Sequence, residues 1–206
     1  MITFNIFKKK KGIYWTKTLI FYTILVPSLA VFLVRKEMDY DTNIIDDILI
    51  CLIVGSLIYA FIVGSVGFVR YEPIKGRLEG FMVLNLNTIH IDYKVYHLND
   101  IKKIEIFNGD YKGSLNARSS GSIEPIISQG VENEIIITMN SGEVEKHFFQ
   151  LLNENDLSKA EKELINYHLK GKIHFLHLID ILNITDYNKI QQFKKRFHIC
   201  RNDIKF

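Results

Sequence analysis

Two long segments without any charged residue constrain this chain of 206 residues more than any other feature. Thr18–Val34 has 17 residues and Ile48–Val69 has 22, and 30 of these 39 residues are apolar. A helix rises about 1.5 Å per residue, and the hydrocarbon core of a bilayer is about 30 Å thick. The second segment is long enough to span, and the first becomes so when it begins near Ile13. We therefore expect two transmembrane helices, at about 13–34 and 48–69.

The rest of the chain has the composition of a soluble domain, because every charged residue lies there. The two kinds of composition together exclude a fully soluble globule, a disordered chain and a disulfide scaffold. Cys51 lies in the second apolar segment and Cys200 in the basic C-terminal region, so a disulfide between them is not expected. The net charge of +3 is too small to indicate nucleic-acid binding.

Basic residues flank the apolar segments unequally. Four consecutive lysines precede the first segment, whereas the short connection between the segments is rich in acidic residues. Cytoplasmic flanks carry an excess of Lys and Arg, so we expect both termini in the cytoplasm and the acidic connection outside. Tryptophan settles at the interface, and lysine can extend toward the headgroups. The predicted membrane-surface residues are Lys8, Lys9, Lys10, Lys11, Trp15 and Lys17.

Two alternatives to this interpretation stay open. In the first, the lysines serve only to orient the chain, with no further contact with lipid. The first segment also resembles a cleaved signal peptide, with a basic start and Ser28-Leu29-Ala30 as a small-residue cleavage site. Against cleavage, the apolar run continues beyond that site.

Small residues recur at four-residue steps in the second segment, at Ser56, Ala60 and Gly64. Such a face lets another helix approach closely. It can pack within the hairpin or against another subunit, although small residues are also common in membrane helices by chance. Neither segment contains an ionisable side chain that could carry a proton or ion.

After Tyr71 the pattern changes to short strands. Apolar residues alternate with polar ones from Ile89 to Val95, which is typical of a half-buried strand. The runs Glu134–Met139 and Glu143–Leu151 flank the turn Asn140-Ser141-Gly142 and predict a β-hairpin. An amphipathic helix follows, because Leu157, Ala160, Leu164 and Tyr167 share one helical face. Two more helical stretches then predict a basic tail.

Three runs in this region carry a family resemblance. Gly80–Leu84 leads into Asn87–Ile91, and Tyr96–Ile104 follows. This order resembles the bacterial pleckstrin-homology-like family, many members of which carry a membrane hairpin ahead of the domain. The resemblance covers roughly residues 75–170. It implies a small curved sheet of about seven strands capped by a helix, and a binding or scaffolding module, usually without catalysis.

The predicted fold class is thus a membrane α-hairpin plus an α+β domain. That domain is a small antiparallel PH-like β-sandwich or partly open barrel with a C-terminal capping helix. We expect a hairpin region over residues 1–70, the PH-like domain over 71–171 and a helical basic tail over 172–206. The tail exceeds the single helix that the resemblance implies, and its role stays open.

Sequence motifs for catalysis are absent: the chain has no phosphate-binding loop and no nucleophile elbow. His174, His177 and Asp180 follow one another at three-residue steps and form a possible metal-binding ridge, or else an ordinary helix surface. We expect no catalytic residue, no metal, no cofactor and no small-molecule substrate.

One long connection, Lys112–Glu132, interrupts the predicted sheet. Loops of this length are often functional, so this one is a candidate for docking a partner or lying on the membrane. Disorder, or an additional strand near Ile126–Ser128, is the alternative. The candidate partner residues are Tyr111, Lys112, Arg118, Ile123, Ile126 and Ile127.

The functional prediction is a membrane-anchored, non-enzymatic binding or scaffold module at the cytoplasmic face of a bacterial inner membrane. Its expected partners are the lipid bilayer and a protein, either a different chain or a second copy, with no nucleic acid. The alternative is an accessory or assembly subunit of a larger membrane complex. An enzyme is the third and least favoured class.

Overall fold

The computed structural model describes residues 2–10, 12, 14–38, 40, 43–115 and 122–203, with side chains described up to residue 195. The chain forms two compact units. The sheet unit comprises Met1–Lys10, Ile74–Lys112 and Gln129–Phe206. The hairpin unit comprises Lys11–Pro73 and Gly113–Ser128.

The described residues form nine strands, five α-helices and one short 3₁₀ helix. In chain order they are β1 (Ile2–Lys9), α1 (Lys17–Glu37), α2 (Ile44–Val66), β2 (Gly76–Leu84), β3 (Thr88–Ile91), β4 (Lys94–His97), β5 (Ile101–Phe107), β6 (Lys112–Leu115), β7 (Ile127–Gln129), β8 (Asn133–Met139), β9 (Val144–Phe149), the 3₁₀ helix (Asp156–Ala160), α3 (Glu161–Leu169), α4 (Phe175–Ile181) and α5 (Tyr187–Asp203).

The two helices of the hairpin unit are long and apolar enough to cross a bilayer. With 21 and 23 residues, α1 and α2 reach about 31 and 34 Å at the usual helical rise. Only 11% of the most apolar stretch of each helix is buried. A core helix of a soluble protein would be mostly buried, so this exposure favours a lipid-facing surface.

The two helices face each other through a narrow stripe. Phe21 and Ser28 are the buried residues of α1, and Leu49 and Ser56 are those of α2. Each pair is seven residues apart, which is the spacing of a left-handed helix pair. Both serine hydroxyls donate to a carbonyl of their own helix, at 2.8 and 2.7 Å. The polar groups of this stripe are therefore satisfied inside the hairpin.

An ion pair closes the tip of the hairpin. Arg35 Nε donates to Asp46 Oδ1 at 2.8 Å, and its Nη2 donates to Asp46 Oδ2 at 3.3 Å. The same Nη2 donates to Asn43 Oδ1 at 3.1 Å. Asn43 and Asp46 also form a capping box at the start of α2. The tip thus joins the end of one helix to the beginning of the next.

The main sheet places the N-terminal strand at its centre. Its order is β4-β3-β2-β1-β9-β8-β5, and the pairs are antiparallel. Strand β1 pairs with β2 from Ile2 opposite Leu84 to Lys9 opposite Gly76. This corrects the predicted division at residue 70, because residues 2–9 belong to the sheet unit. Their alternation of apolar and polar residues is the signal of a half-buried strand, which precedes the lysine cluster.

The sheet curls although its edges are not joined by strand pairing. Its two edge strands, β4 and β5, are separated along the chain by Leu98–Asp100 alone. Lys94 Nζ on β4 also lies 2.5 Å from Glu145 Oε1 on β9, four strands away in the sheet order. This hydrogen bond from Lys94 lowers the pKa of Glu145. The predicted hairpin of β8 and β9 is present, with Ile137 opposite Glu145.

Helix α3 covers the core of the sheet, as the amphipathic pattern predicts. Leu164 and Tyr167 are fully buried, and Tyr167 Oη donates to the carbonyl of Asn85 at 2.6 Å. On the sheet, Phe4 and Phe149 meet edge to face, with ring centroids 5.8 Å apart. An aromatic pair in this geometry contributes beyond the area that it buries.

The segment after α3 is not a separate tail up to the point where side chains are described. Leu178, Ile181 and Phe193 are buried in the core of the sheet unit. Asn108 Nδ2 donates to the carbonyl of Ile181 at 3.0 Å, and the carbonyl of Lys172 accepts from the β5 backbone. This corrects the predicted boundary at residue 172, because the apolar side chains of the segment extend the same core.

Candidate functional site: the base of the membrane hairpin

The base of the hairpin is the end at which α1 begins and α2 ends. It is built from residues 14–18, residues 66–72 and residues 122–127. We call the last of these segments, residues 122–127, the base clamp. Strands β6 and β7 pair as a separate two-stranded sheet. Along the chain, the clamp follows β6 and runs into β7 at Ile127. The clamp contacts both helix ends, as the hydrogen bonds below establish.

A carboxylate in the clamp caps α1. Glu124 Oε1 accepts the backbone N–H of Thr18 at 2.9 Å. Thr16 is the N-cap residue, and its hydroxyl accepts from the N–H of Leu19 at 3.1 Å. The first N–H groups of a helix lack partners within the helix, and its N-terminus carries a partial positive charge. Glu124, 106 residues away along the chain, accepts one of these N–H groups and places a negative charge at the helix N-terminus.

The Thr18 side chain also binds the clamp. Its Oγ1 accepts the backbone N–H of Ile123 at 3.1 Å and lies 3.4 Å from Ser122 Oγ. The hydroxyl of Ser122 in turn accepts from the N–H of Glu124 at 3.3 Å. The cap is therefore reciprocal, with the clamp and the first turn of α1 each accepting from the other.

The same clamp binds the end of α2. The N–H of Ile126 donates to the carbonyl of Gly67 at 3.2 Å, and the N–H of Glu72 donates to the carbonyl of Ile127 at 2.8 Å. Tyr71 forms a parallel bridge with Ile127. Pro125, between the two contact points, is buried. A stretch from Ile123 to Ile127 thus ties both helix ends together.

The candidate partner residues of the long connection lie in different surroundings. Ile123, Ile126 and Ile127 are half-buried in the clamp at the base of the chain's own hairpin. Tyr111 packs against the core of the sheet unit, and the N–H of Lys112 donates to the carbonyl of Leu151 at 3.0 Å. The connection contains strands β6 and β7, and β7 is the additional strand that was the alternative near Ile126–Ser128. The remaining candidate, Arg118, lies outside the described residues.

The predicted membrane-surface lysines differ in their surroundings. Lys8 and Lys9 lie on β1, where Lys8 pairs with Asp92 at 3.2 Å and Lys9 pairs with Glu132 at 2.9 Å. Lys9 Nζ also lies 3.9 Å above the ring of Phe148. Both charges therefore have acidic partners within the sheet unit.

Two further lysines of that cluster follow β1. The backbone N–H of Lys10 donates to the carbonyl of Lys75 at 3.1 Å, which extends the pairing of β1 with β2 by one step. Lys11 lies outside the described residues.

Aromatic and apolar side chains are exposed at the base. Trp15 is 71% exposed, Phe68 59%, Val69 75% and Tyr71 46%. The sequence predicts Trp15 at the membrane surface, whereas Phe68 and Val69 end the predicted second span and Tyr71 follows it. Lys17 begins α1 and is half-buried, and the exposed Arg70 lies between Val69 and Tyr71.

The predicted small-residue face lies along α2 as its spacing requires. Ser56 is buried, and Ala60 and Gly64 are half-buried. A groove of about 260 Å³ opens beside Ser56, between Phe21 on α1 and Tyr59 on α2.

The possible metal-binding ridge of His174, His177 and Asp180 is not assembled. His174 is exposed, whereas His177 Nε2 accepts a backbone N–H from β5 at 2.9 Å. Among the described residues, no group of three His, Cys, Asp or Glu side chains is placed to hold a metal ion.

Comparison of the chain with protein-family models, with curated proteins and with solved structures finds no match in any of the three.

Proposed function

We propose that this protein is a membrane-anchored, non-enzymatic binding or scaffold module. Its hairpin crosses a bacterial inner membrane, and its PH-like sheet unit lies on the cytoplasmic side. The observation that carries the proposal is the insertion of the hairpin between two paired strands. The chain leaves β1 at Lys9, forms both apolar helices and returns to β2 at Gly76, which is the residue opposite Lys9.

This insertion supports a two-pass topology. Strands β1 and β2 pair along their length, so the sheet unit lies on one side of any membrane that the helices cross. An even number of crossings is then required, and α1 and α2 supply two. Strand β1 before the hairpin and the elements from β8 to α4 belong to the sheet unit and share that side. The basic flanks favour the cytoplasm.

The same observation weighs against a cleaved signal peptide. Cleavage after Ala30 would remove residues 2–9, which form β1 at the centre of the sheet. Phe4 and Ile6 of this strand are buried in the core. Loss of two large core side chains and of a central strand would leave neighbouring strands without hydrogen-bond partners.

The architecture also supports the family resemblance. A curved, antiparallel sheet of seven strands is followed directly by a helix that buries Leu164 and Tyr167 on it. Several polar side chains of the sheet unit have partners within that unit. Lys94 and His147 both contact Glu145, at 2.5 and 3.3 Å, and His177 accepts a backbone hydrogen bond. A binding role is therefore favoured over catalysis.

The accessory-subunit alternative depends on a free small-residue face. Ser56 is buried within the hairpin, which leaves Ala60 and Gly64 half-exposed for another helix. Part of the face already serves the pairing of α1 with α2, so this alternative has the weaker support.

Cysteine labelling in spheroplasts tests the topology. In a background with Cys51→Ala and Cys200→Ala, single cysteines are introduced by Thr3→Cys, Ser141→Cys and Lys36→Cys. We expect an impermeant maleimide to label position 36 in intact spheroplasts and positions 3 and 141 only after permeabilisation. Release of the protein by alkaline carbonate would overturn the anchor. Labelling of positions 3 and 141 in intact spheroplasts would overturn the cytoplasmic placement of the sheet unit.

The molecular mass of the purified protein in a mild detergent tests the scaffold role. A stoichiometric partner chain or a defined homo-oligomer supports a binding module. A monomer that turns over a substrate would contradict it.

A further inference from the structure

Exposed aromatic, apolar and basic side chains lie at both helix ends of the hairpin base. Trp15 and Lys17 stand at the start of α1, and Phe68, Arg70 and Tyr71 follow α2. The base clamp fixes the two groups at the same level, because it contacts both Thr18 and Gly67 within a few residues. We call Trp15, Lys17, Phe68, Val69, Arg70 and Tyr71 the collar.

The collar combines rings with cationic groups. Three aromatic side chains are 46–71% exposed, and Val69 adds an exposed apolar surface. Among the described residues, neither Lys17 nor Arg70 has an acidic partner, whereas Lys8 and Lys9 are paired with Asp92 and Glu132. Two cations next to the apolar span are thus available to a negatively charged ligand.

This combination matches one partner chemically. Aromatic rings with an apolar body and a polar edge settle at the headgroup level of a bilayer. Lys and Arg at that level attract the phosphates of anionic lipids, whose surface potential is negative. Long basic side chains can extend from the helix ends to reach them.

We infer that the collar is an anionic-phospholipid binding surface, with the aromatic side chains at headgroup depth and Lys17 and Arg70 on lipid phosphates. The inference rests on the proposed membrane anchor and adds the lipid class and the residues that recognise it. Each basic residue should enrich anionic lipid around the collar on the order of fivefold over a neutral phospholipid.

The chain has a built-in reporter, because Trp15 is its one tryptophan. The full chain is reconstituted in phosphatidylcholine vesicles that carry bromines near the headgroup end, at mid-chain or near the methyl end of the acyl chains. Bromine quenches tryptophan on contact. We expect the strongest quenching of Trp15 from bromines near the headgroup end.

Lipid class is tested in mixed vesicles with a minor fraction of brominated lipid. We expect brominated phosphatidylglycerol to quench Trp15 more than the same fraction of brominated phosphatidylcholine. Lys17→Gln combined with Arg70→Gln should remove this difference and leave the depth profile unchanged. Lys36→Gln, a matched loss of charge at the opposite end of α1, should keep the difference.

The outcomes separate the inference from the anchor itself. The reconstituted protein can stay in the vesicles after alkaline carbonate treatment while Trp15 is not quenched, or is quenched best from the methyl end. That result would overturn the placement of the collar at headgroup depth and leave the membrane anchor in place. Equal quenching by the two brominated lipids overturns the anionic preference. Release by carbonate overturns the proposed function on which the inference rests.

Discussion

His177 Nε2 accepts the backbone N–H of Ile106 at 2.9 Å. Ile106 lies on β5, an edge strand whose outward N–H groups would otherwise be unpaired, and the carbonyl of Lys172 accepts the N–H of Ile104 in the same way at 2.8 Å. Exposed edges invite pairing with other chains, so natural sheets cover them. His177 can act as an acceptor only when its ring is neutral, with its proton on Nδ1.

The first prediction is an acid-sensitive sheet unit. Burial lowers the pKa of His177, which outweighs the opposite effect of Asp180 and Glu105, and Lys103 and His174 lower it further. Below the ordinary histidine value of about 6.5, the unfolded chain binds more protons than the folded one. The contribution of His177 to the free energy of unfolding should therefore be fully present above about pH 6.5. It should be lost as the pH falls from there through the lower pKa of His177 in the folded protein.

The variant His177→Gln checks this prediction, because its amide oxygen can accept the same N–H and does not titrate. The melting temperature of the full chain in detergent should fall less between about pH 7.5 and about pH 5.5 in His177→Gln than in the unmodified protein. His174→Gln is the matched control, since His174 is exposed. An unchanged acid dependence in His177→Gln would contradict the assignment.

The second prediction concerns the cap on α1. Glu124→Ala removes the acceptor of the Thr18 N–H and should cost about 1 kcal/mol at the first turn. Hydrogen exchange at the Thr18 amide should then be faster on the order of fivefold. The exposed Glu154 gives a control variant, Glu154→Ala, in which exchange at Thr18 stays as it was. Unaltered exchange at Thr18 in Glu124→Ala would contradict the stabilisation of α1 by the clamp.

The third prediction tests the central position of β1. Phe4 is 4% exposed and packs against Phe149, so Phe4→Ala should lower the free energy of unfolding by about 3–5 kcal/mol. Thr3→Ala, at the exposed neighbour, should change it by no more than about 0.5 kcal/mol. Urea denaturation followed by circular dichroism measures both. Similar effects of the two variants would mean that the strand does not contribute to the core.

The fourth prediction concerns the tip of the hairpin. Arg35→Gln and Asp46→Asn each leave one charge without its bidentate partner, with side chains only 17% and 14% exposed. Each single variant should melt at a lower temperature in detergent, and the double variant should lose less than the sum of the two losses. Lys36→Gln serves as the control. Additive losses would indicate that the two side chains act independently.

Several elements could be predicted because their signals are local. The two apolar segments, the β8–β9 hairpin and the face of α3 each appear within a short window of sequence. Strand β1 also has a local signal in Ile2, Phe4 and Ile6, but the lysines that follow draw attention to the membrane. The composition therefore predicts that residues 2–9 belong to the hairpin region, and the pairing of β1 with β2 corrects this.

The sequence by itself determined that the chain has two long apolar helices, an antiparallel sheet and a helix that covers it, since these follow from periodicity and length. Only the tertiary structure decided that the hairpin emerges between two paired strands and that Lys8 and Lys9 pair with Asp92 and Glu132. It also assigned Glu124 to the cap of α1 and His177 to the edge of β5. Each of these depends on partners that are distant along the chain. Loop closure brings them together, and no local pattern records it.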